Sequence, residues 1–214
     1  MRKDDVDDLL AAALSGRQLL THPFYRRWEA GALAPGELAD YAGQYRHIEA
    51  AFPAVLGAAL AALPAGPAHS LLAQTLHDEL HPVPHVTLFE DFARAVGAPD
   101  PSPPSPATAA LVDCYRAAAA RGPVPALAAI GAYEVQSAAI AASKGEGLSG
   151  HYGIHGAGRQ FWDLHAELDT QHADWTSQAL AELPDLDGDL VIDVATAAAT
   201  AWWDFLSERE AAAA

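Results

Sequence analysis

The chain has 214 residues, of which 51% are hydrophobic, and its formal net charge is −16 at pH 7. This length and composition predict one globular domain over residues 1–214. So acidic a chain repels nucleic acid and anionic membranes, so we expect small-molecule partners, no nucleic acid and no membrane. A single cysteine, Cys114, cannot form an internal disulfide, and residues 1–10 lack the apolar run of a signal peptide. Both features favour a cytoplasmic protein.

Apolar residues recur at helical spacing along almost the whole chain, and no segment alternates as a strand does. Pro53 is expected to kink its helix, and residues 99–106, with five prolines, predict a rigid loop. The predicted helices span residues 4–20, a short segment ending near Gly31, 35–63, 68–96 with a break at 81–84, 107–121, 124–147, 157–183 and 188–209. Seven or more helices around one core predict an all-α bundle.

The stretch FWDLHAELDTQHADW, residues 161–175, places two histidines and an aspartate on one helical stripe. At 100° per residue, His165, Asp169 and His172 leave the helix within about 60° of one another. Apolar residues recur beside this stripe, so it is predicted to face the core, where polar groups need partners. Two imidazoles and a carboxylate on one face are typical of a metal site. The alternative interpretation is a solvated face with incidental histidines.

Glu134 lies in AIGAYEVQSAAIAA, a helix that is otherwise apolar on every side. Burying an ionised carboxylate without a partner is strongly unfavourable, so the residue is expected to bind something or to stay protonated. Metal ligation is one interpretation, and a structural acid paired with an arginine is the other.

Glu79 and His85 flank a predicted helix break in LHDELHPVPHVTLF. Pro82 and Pro84 cannot both lie in one regular helix, because each removes a backbone donor and clashes with the preceding turn. The opening could bring Glu79 and His85 to one point despite their spacing of six residues. Three nearby side chains remain competing candidates, namely His77, Asp78 and His81.

The collected candidates are three carboxylates and three imidazoles from three helices of one bundle. Mixed oxygen and nitrogen ligands favour iron or manganese over structural zinc. Helical bundles are known to hold carboxylate-bridged di-iron centres, usually through paired Glu-x-x-His motifs. This sequence has no clear pair of those motifs, so it predicts a different di-iron design. The candidate ligands are Glu79, His85, Glu134, His165, Asp169 and His172.

These residues resemble the haem-oxygenase-like di-iron oxidases, whose last ligand helix carries His-x-x-x-Asp-x-x-His. Within that group they look most like the CADD-type, self-sacrificing p-aminobenzoate synthases. The resemblance runs from about His22 to Trp175 and includes HPFYRRWEAGALAPGELADYAGQYRHIEAAFP and YEVQSAAIAASKGEGLSGHYGI. It implies a haem-oxygenase-like fold, and two iron ions, or iron with manganese, bound by the six candidates. It also implies dioxygen and an external reductant, and p-aminobenzoate made for folate synthesis from the protein's own tyrosine.

The resemblance further implies a reactive trio. Tyr25 in HPFYRRW and Tyr41 in ADYAGQY match the family's tyrosines, and Lys144, ten residues after Glu134, matches its lysine. Tyr25 would be cleaved, Tyr41 would be a radical site or alternative donor, and Lys144 would supply or position nitrogen. Taken without the resemblance, the tyrosines are ordinary core aromatics and Lys144 is a cation favoured at a helix C-terminus.

Several alternatives stay open at this point. Glu49 is either an additional ligand or a surface acid beside His47. The same metals could serve an oxidase of an external amine, amino acid or fatty acid. A metal-free protein like those of the TenA and PqqC branches is a further hypothesis, although Cys114 does not fit the thiaminase-type nucleophile. An interaction protein has no independent support in the sequence. The fold often dimerises, so a homodimer is compatible with the resemblance.

Overall fold

A computed structural model describes residues 1–99 and 103–212, and within them every regular element is helical. The all-α prediction is confirmed, and residues 100–102 of the predicted proline loop lie outside the described part. The α-helices are α1 (Lys3–Ala13), α2 (Pro23–Glu29), α3 (Pro35–Ala62), α4 (Pro67–Leu80), α5 (His85–Ala95), α6 (Pro106–Ala120), α7 (Pro123–His151), α8 (Ala157–Ala181) and α9 (Gly188–Ala212).

Proline marks the start of most helices, and a glycine ends the first helix earlier than predicted. Five helices, α2, α3, α4, α6 and α7, begin at a proline, whose missing N–H would have no intrahelical partner there. At the other end, α1 stops at Ala13 and not at residue 20, because Gly16 adopts a φ of 74° and ends the helix. A single 3₁₀ turn, Leu19–Thr21, then leads into α2.

Two helix boundaries matter for the site. The predicted break in residues 81–84 is present, so that α4 ends at Leu80 and α5 begins at His85. Helix α7 continues to His151, four residues beyond the predicted end, although Gly145 and Gly147 lie in its last turns. Both glycines are buried, and a Cβ at Gly147 would come within 2.7 Å of the Trp28 ring. They therefore allow close packing and do not end the helix.

Helices α7 and α8 pack against each other most extensively and form the centre of the bundle. Helix α7 also contacts α1, α2, α3, α6 and α9, whereas α8 contacts α1, α4 and α5. Within the described residues, α7 is the one helix long and apolar enough to cross a membrane. Its apolar window is 67% buried in the protein, so packing in the core accounts for its composition.

Candidate active site

The break between α4 and α5 brings Glu79 and His85 together. The His85 Nδ1 atom lies 3.0 Å from Glu79 Oε2, and both side chains are buried. Nevertheless, Nδ1 makes no hydrogen bond of acceptable geometry. The His85 nitrogen and the Glu79 oxygen are thus close but not aligned for a hydrogen bond, which is the arrangement of two ligands that share a cation.

His165 completes a compact trio with these two residues. One ligand atom from each of Glu79, His85 and His165 lies within 4.8 Å of the others. His165 Nδ1 donates to the Phe161 carbonyl oxygen at 2.8 Å. That hydrogen bond fixes the tautomer and leaves the Nε2 lone pair available, which is the usual arrangement of a metal-binding imidazole.

The remaining three candidates lie along the interface of α7 and α8. Glu134 accepts a hydrogen bond from Thr176 Oγ1 at 2.5 Å, and no arginine lies within ion-pair distance of it in the described part of the chain. The structural Arg-paired interpretation of this acid is therefore wrong. His172 Nδ1 lies 3.8 Å from Asp169 Oδ1, one turn earlier on α8.

A cavity of about 40 Å³ joins the candidates from three helices. Its wall includes all of them except His85, and aromatic side chains form most of the remaining wall. Glu49 also lines it and is buried, so the surface-acid interpretation of that residue is wrong. Its position could have been inferred from the sequence, since it follows Tyr45 by one helical turn on the apolar face of α3.

The competing candidates separate clearly. Asp78 Oδ2 lies 3.4 Å from His172 Nε2, so this carboxylate reaches the site's edge. His81 is exposed, its ring is stacked on that of His77 at 4.5 Å, and it does not line the cavity.

Burial controls the protonation of these groups. It raises the pKa of Glu79 and of Glu134 to about 8 and that of Asp169 to about 6, and raises the pKa of Glu49 well above its ordinary value. Desolvation also lowers the pKa of His165 to about 3, so its imidazole is neutral. Without cations, Glu79 and Glu134 are therefore best accommodated with bound protons at neutral pH. Buried carboxyls beside neutral imidazoles are a donor set that fits divalent iron or manganese, whose charge would replace those protons.

The reactive trio that the resemblance implied is also assembled, next to this cavity. The hydroxyl oxygens of Tyr25 and Tyr41 lie 3.0 Å apart, and Lys144 Nζ donates to the Tyr41 oxygen at 2.5 Å. All three side chains are at most 2% exposed. Lys144 lies seven residues before the end of α7, so its interpretation as a cation at the helix C-terminus is wrong.

Lys144 is surrounded by aromatic rings. Its Nζ lies 4.1 Å from the Trp162 ring centroid and 4.6 Å from that of Tyr25. No carboxylate lies within ion-pair distance in the described residues, and desolvation lowers the pKa of Lys144 well below its usual value. Burial and the lack of a carboxylate partner therefore favour the neutral amine over the ammonium. Burial also raises the pKa of Tyr25 and Tyr41, so both remain neutral phenols.

Comparison with known proteins agrees with this arrangement. Residues 39–203 match the family model described as "Iron-containing redox enzyme". The chain belongs to this family of iron-containing redox enzymes. It is 30% identical over 207 residues to a 4-aminobenzoate synthase from Chlamydia muridarum, covering 93% of this chain and 87% of the relative. It is 31% identical over 223 residues to a 4-aminobenzoate synthase from Nitrosomonas europaea, covering 95% and 89%.

A solved structure confirms the predicted fold of this family member. A domain of unknown function from Shewanella denitrificans, described as having a haem-oxygenase-like fold, superposes with a TM-score of 0.75 at 18% identity. The match covers 96% of this chain and 89% of that one. The protein is thus an oxidoreductase of an iron-containing family with the haem-oxygenase-like fold.

Proposed function

We propose that this oxidoreductase is a dioxygen-dependent, non-haem dinuclear metal enzyme that forms 4-aminobenzoate from its own Tyr25. The names of its relatives point to this product. The observation that carries the proposal is the buried chain of hydrogen bonds from Lys144 through Tyr41 to Tyr25. A neutral amine and a phenol ring, the two parts of an aminobenzoate precursor, lie side by side in it.

The metal ions would be held by the two halves of the candidate set. Glu79, His85 and His165 would bind one iron ion, and Glu134, Asp169 and His172 would bind a second iron or a manganese. Glu49 is buried beside them and available as an additional carboxylate. When bound, the metals supply the electrons and the open coordination position that activate dioxygen, with an external reductant.

The roles of the protein's own residues follow from their surroundings. Lys144 would keep its lone pair because burial disfavours the ammonium, and its Nζ lies 4.6 Å from the Tyr25 ring centroid. Tyr41 orients both partners through its hydroxyl group. The Tyr25 ring would supply the carbon skeleton and Lys144 the nitrogen. The surrounding rings exclude water, which would otherwise compete with the amine.

The competing functions have less support. A cavity of about 40 Å³ is far smaller than the ~150 Å³ that accommodates a benzene molecule, so a fatty acid or an aromatic amine would not fit without movement of side chains. A cysteine nucleophile is also disfavoured, because Cys114 does not line the cavity and burial raises its pKa. Dioxygen and small reductants remain the expected partners.

A single-residue substitution tests the proposal. The protein is loaded anaerobically with ferrous iron, mixed with reductant and oxygen, and its released molecules are analysed by mass spectrometry. Wild-type protein is expected to release 4-aminobenzoate, and Tyr25→Phe to release none while binding the same amount of iron. Tyr152→Phe, which removes a hydroxyl bonded to the Leu33 backbone N–H, is the control. Product from Tyr25→Phe would rule out its consumption.

A further inference from the structure

The two parts of the site are separated. The cavity that the candidate metal ligands face is not lined by Tyr25, Tyr41 or Lys144. An oxidation that begins with dioxygen in this cavity must therefore cross to the tyrosines. Tyr45 belongs to both parts. Its side chain lines the cavity, and its ring centroid lies 5.5 Å from that of Tyr41.

The phenolic proton of Tyr45 can also move towards the cavity when Tyr45 is oxidised. Its hydroxyl group is hydrogen-bonded to that of Tyr133 at 3.0 Å, and Tyr133 lines the cavity and precedes the candidate ligand Glu134 in the chain. The Tyr45 ring is held in place by stacking on Phe89 at 5.1 Å and by contact with Trp202 at 5.6 Å. This phenol is therefore buried, fixed, and connected to the cavity by one hydrogen bond.

We propose that Tyr45 relays the one-electron oxidation from the metal cavity to the Tyr25–Tyr41 pair, with Tyr133 as its proton partner. This inference rests on the proposed function. One electron passes from Tyr45 to the oxidant formed from dioxygen and reductant in the cavity. The Tyr45 phenolic proton moves to the Tyr133 oxygen, and Tyr133 releases its own proton into the cavity.

The relay then returns to its starting state. Tyr41 gives one electron to Tyr45 and, once the Tyr41–Lys144 hydrogen bond has reversed its direction, its phenolic proton to the Lys144 amine. Tyr133 returns the first proton to Tyr45 and takes its own proton back from the cavity. Tyr25 next gives an electron and a proton to Tyr41 across their hydrogen bond. The net change is the loss of one electron and one proton from Tyr25. The electron is on the oxidant, the proton is on Lys144, and Tyr45 and Tyr133 are unchanged.

The test uses Tyr45→Phe, which keeps the packed ring and removes the phenol. Freeze-quenched samples of iron-loaded protein, reacted with reductant and oxygen, are examined for a tyrosyl radical by electron paramagnetic resonance. The mass of the Tyr25 peptide is then determined by mass spectrometry, and iron content and oxygen consumption are measured on the same samples. We expect unchanged iron content and oxygen uptake, and Tyr25 modification slowed by about tenfold or more, equivalent to ~1.4 kcal/mol in the barrier. Tyr152→Phe is expected to match wild type.

Tyr133→Phe is the second variant, because it removes the same hydrogen bond from the other side. It should slow formation of the tyrosyl radical without changing the iron content. Wild-type kinetics of Tyr25 modification in Tyr45→Phe would overturn the relay alone. An unmodified Tyr25 in iron-loaded wild type would overturn the proposed function and the relay together. Tyrosyl radical formation at the wild-type rate in Tyr133→Phe would overturn the assignment of Tyr133 as the proton partner.

Discussion

The protonation of Glu134 makes a quantitative prediction about stability in the absence of metal. Its pKa is about 8 in the folded protein, against an ordinary value of 4.5. A raised carboxyl pKa contributes stability that is fully present below pH 4.5 and is lost as the pH rises through 8. Between pH 6.5 and 8, this residue alone is expected to lower the free energy of unfolding by about 1–2 kcal/mol.

Other groups titrate in the same protein, so a difference between variants is the quantity to measure. Glu79 should contribute a similar loss, whereas Lys144, whose folded pKa is lowered, contributes a gain with rising pH. Both effects largely cancel when metal-free wild type is compared with metal-free Glu134→Gln. The free energy of unfolding of wild type relative to the variant should therefore fall by about 1–2 kcal/mol between pH 6.5 and 8.

Urea unfolding at four pH values, with chelator present, measures this difference. Glu146→Gln, on the exposed side of the same helix, should follow wild type at every pH. Saturating ferrous iron should stabilise wild type more than Glu134→Gln, because the variant lacks a ligand and metal binding stabilises the folded state. A difference between wild type and Glu134→Gln that does not change with pH would refute the buried, protonated carboxyl.

Further predictions concern single residues of the site. His172→Ala should lower the iron content of purified protein measured by mass spectrometry, and unchanged stoichiometry would contradict its assignment as a ligand. Lys144→Met, which fills the aromatic surroundings without burying an amine, should raise the unfolding free energy by about 1–3 kcal/mol and abolish product; lower stability would contradict the neutral buried amine. Gly147→Ala should destabilise by about 1–3 kcal/mol in thermal unfolding, because its Cβ would come within 2.7 Å of the Trp28 ring, and an unchanged melting temperature would contradict this packing.

Much of the helical fold could be predicted from the sequence, because apolar periodicity and proline positions are local signals. The stripe of His165, Asp169 and His172 is local for the same reason. The predicted end of α7 is wrong, because Gly147 is a helix breaker by propensity and a close-packing residue only in the presence of Trp28. That long-range contact has no local signature.

The arrangement of the site required tertiary information. The helical spacing of Glu49 from Tyr45 indicates burial, but that Glu49 lines the same cavity as Glu79 and Asp169 depends on how α3, α4 and α8 pack together. The resemblance identifies Tyr25, Tyr41 and Lys144 individually but does not predict the contacts among them. Their hydrogen bonds and the bridging position of Tyr45 became visible only when α2, α3 and α7 were packed together.

Isotope labelling tests the central claim most directly. Protein produced with ring-¹³C tyrosine and with lysine carrying ¹⁵N at Nζ is loaded with ferrous iron and reacted with unlabelled reductant and oxygen. The account predicts released 4-aminobenzoate that carries the labelled ring and nitrogen, together with mass changes in the peptides that contain Tyr25 and Lys144. Unlabelled product, or labelled product with an intact Tyr25 peptide, would contradict it.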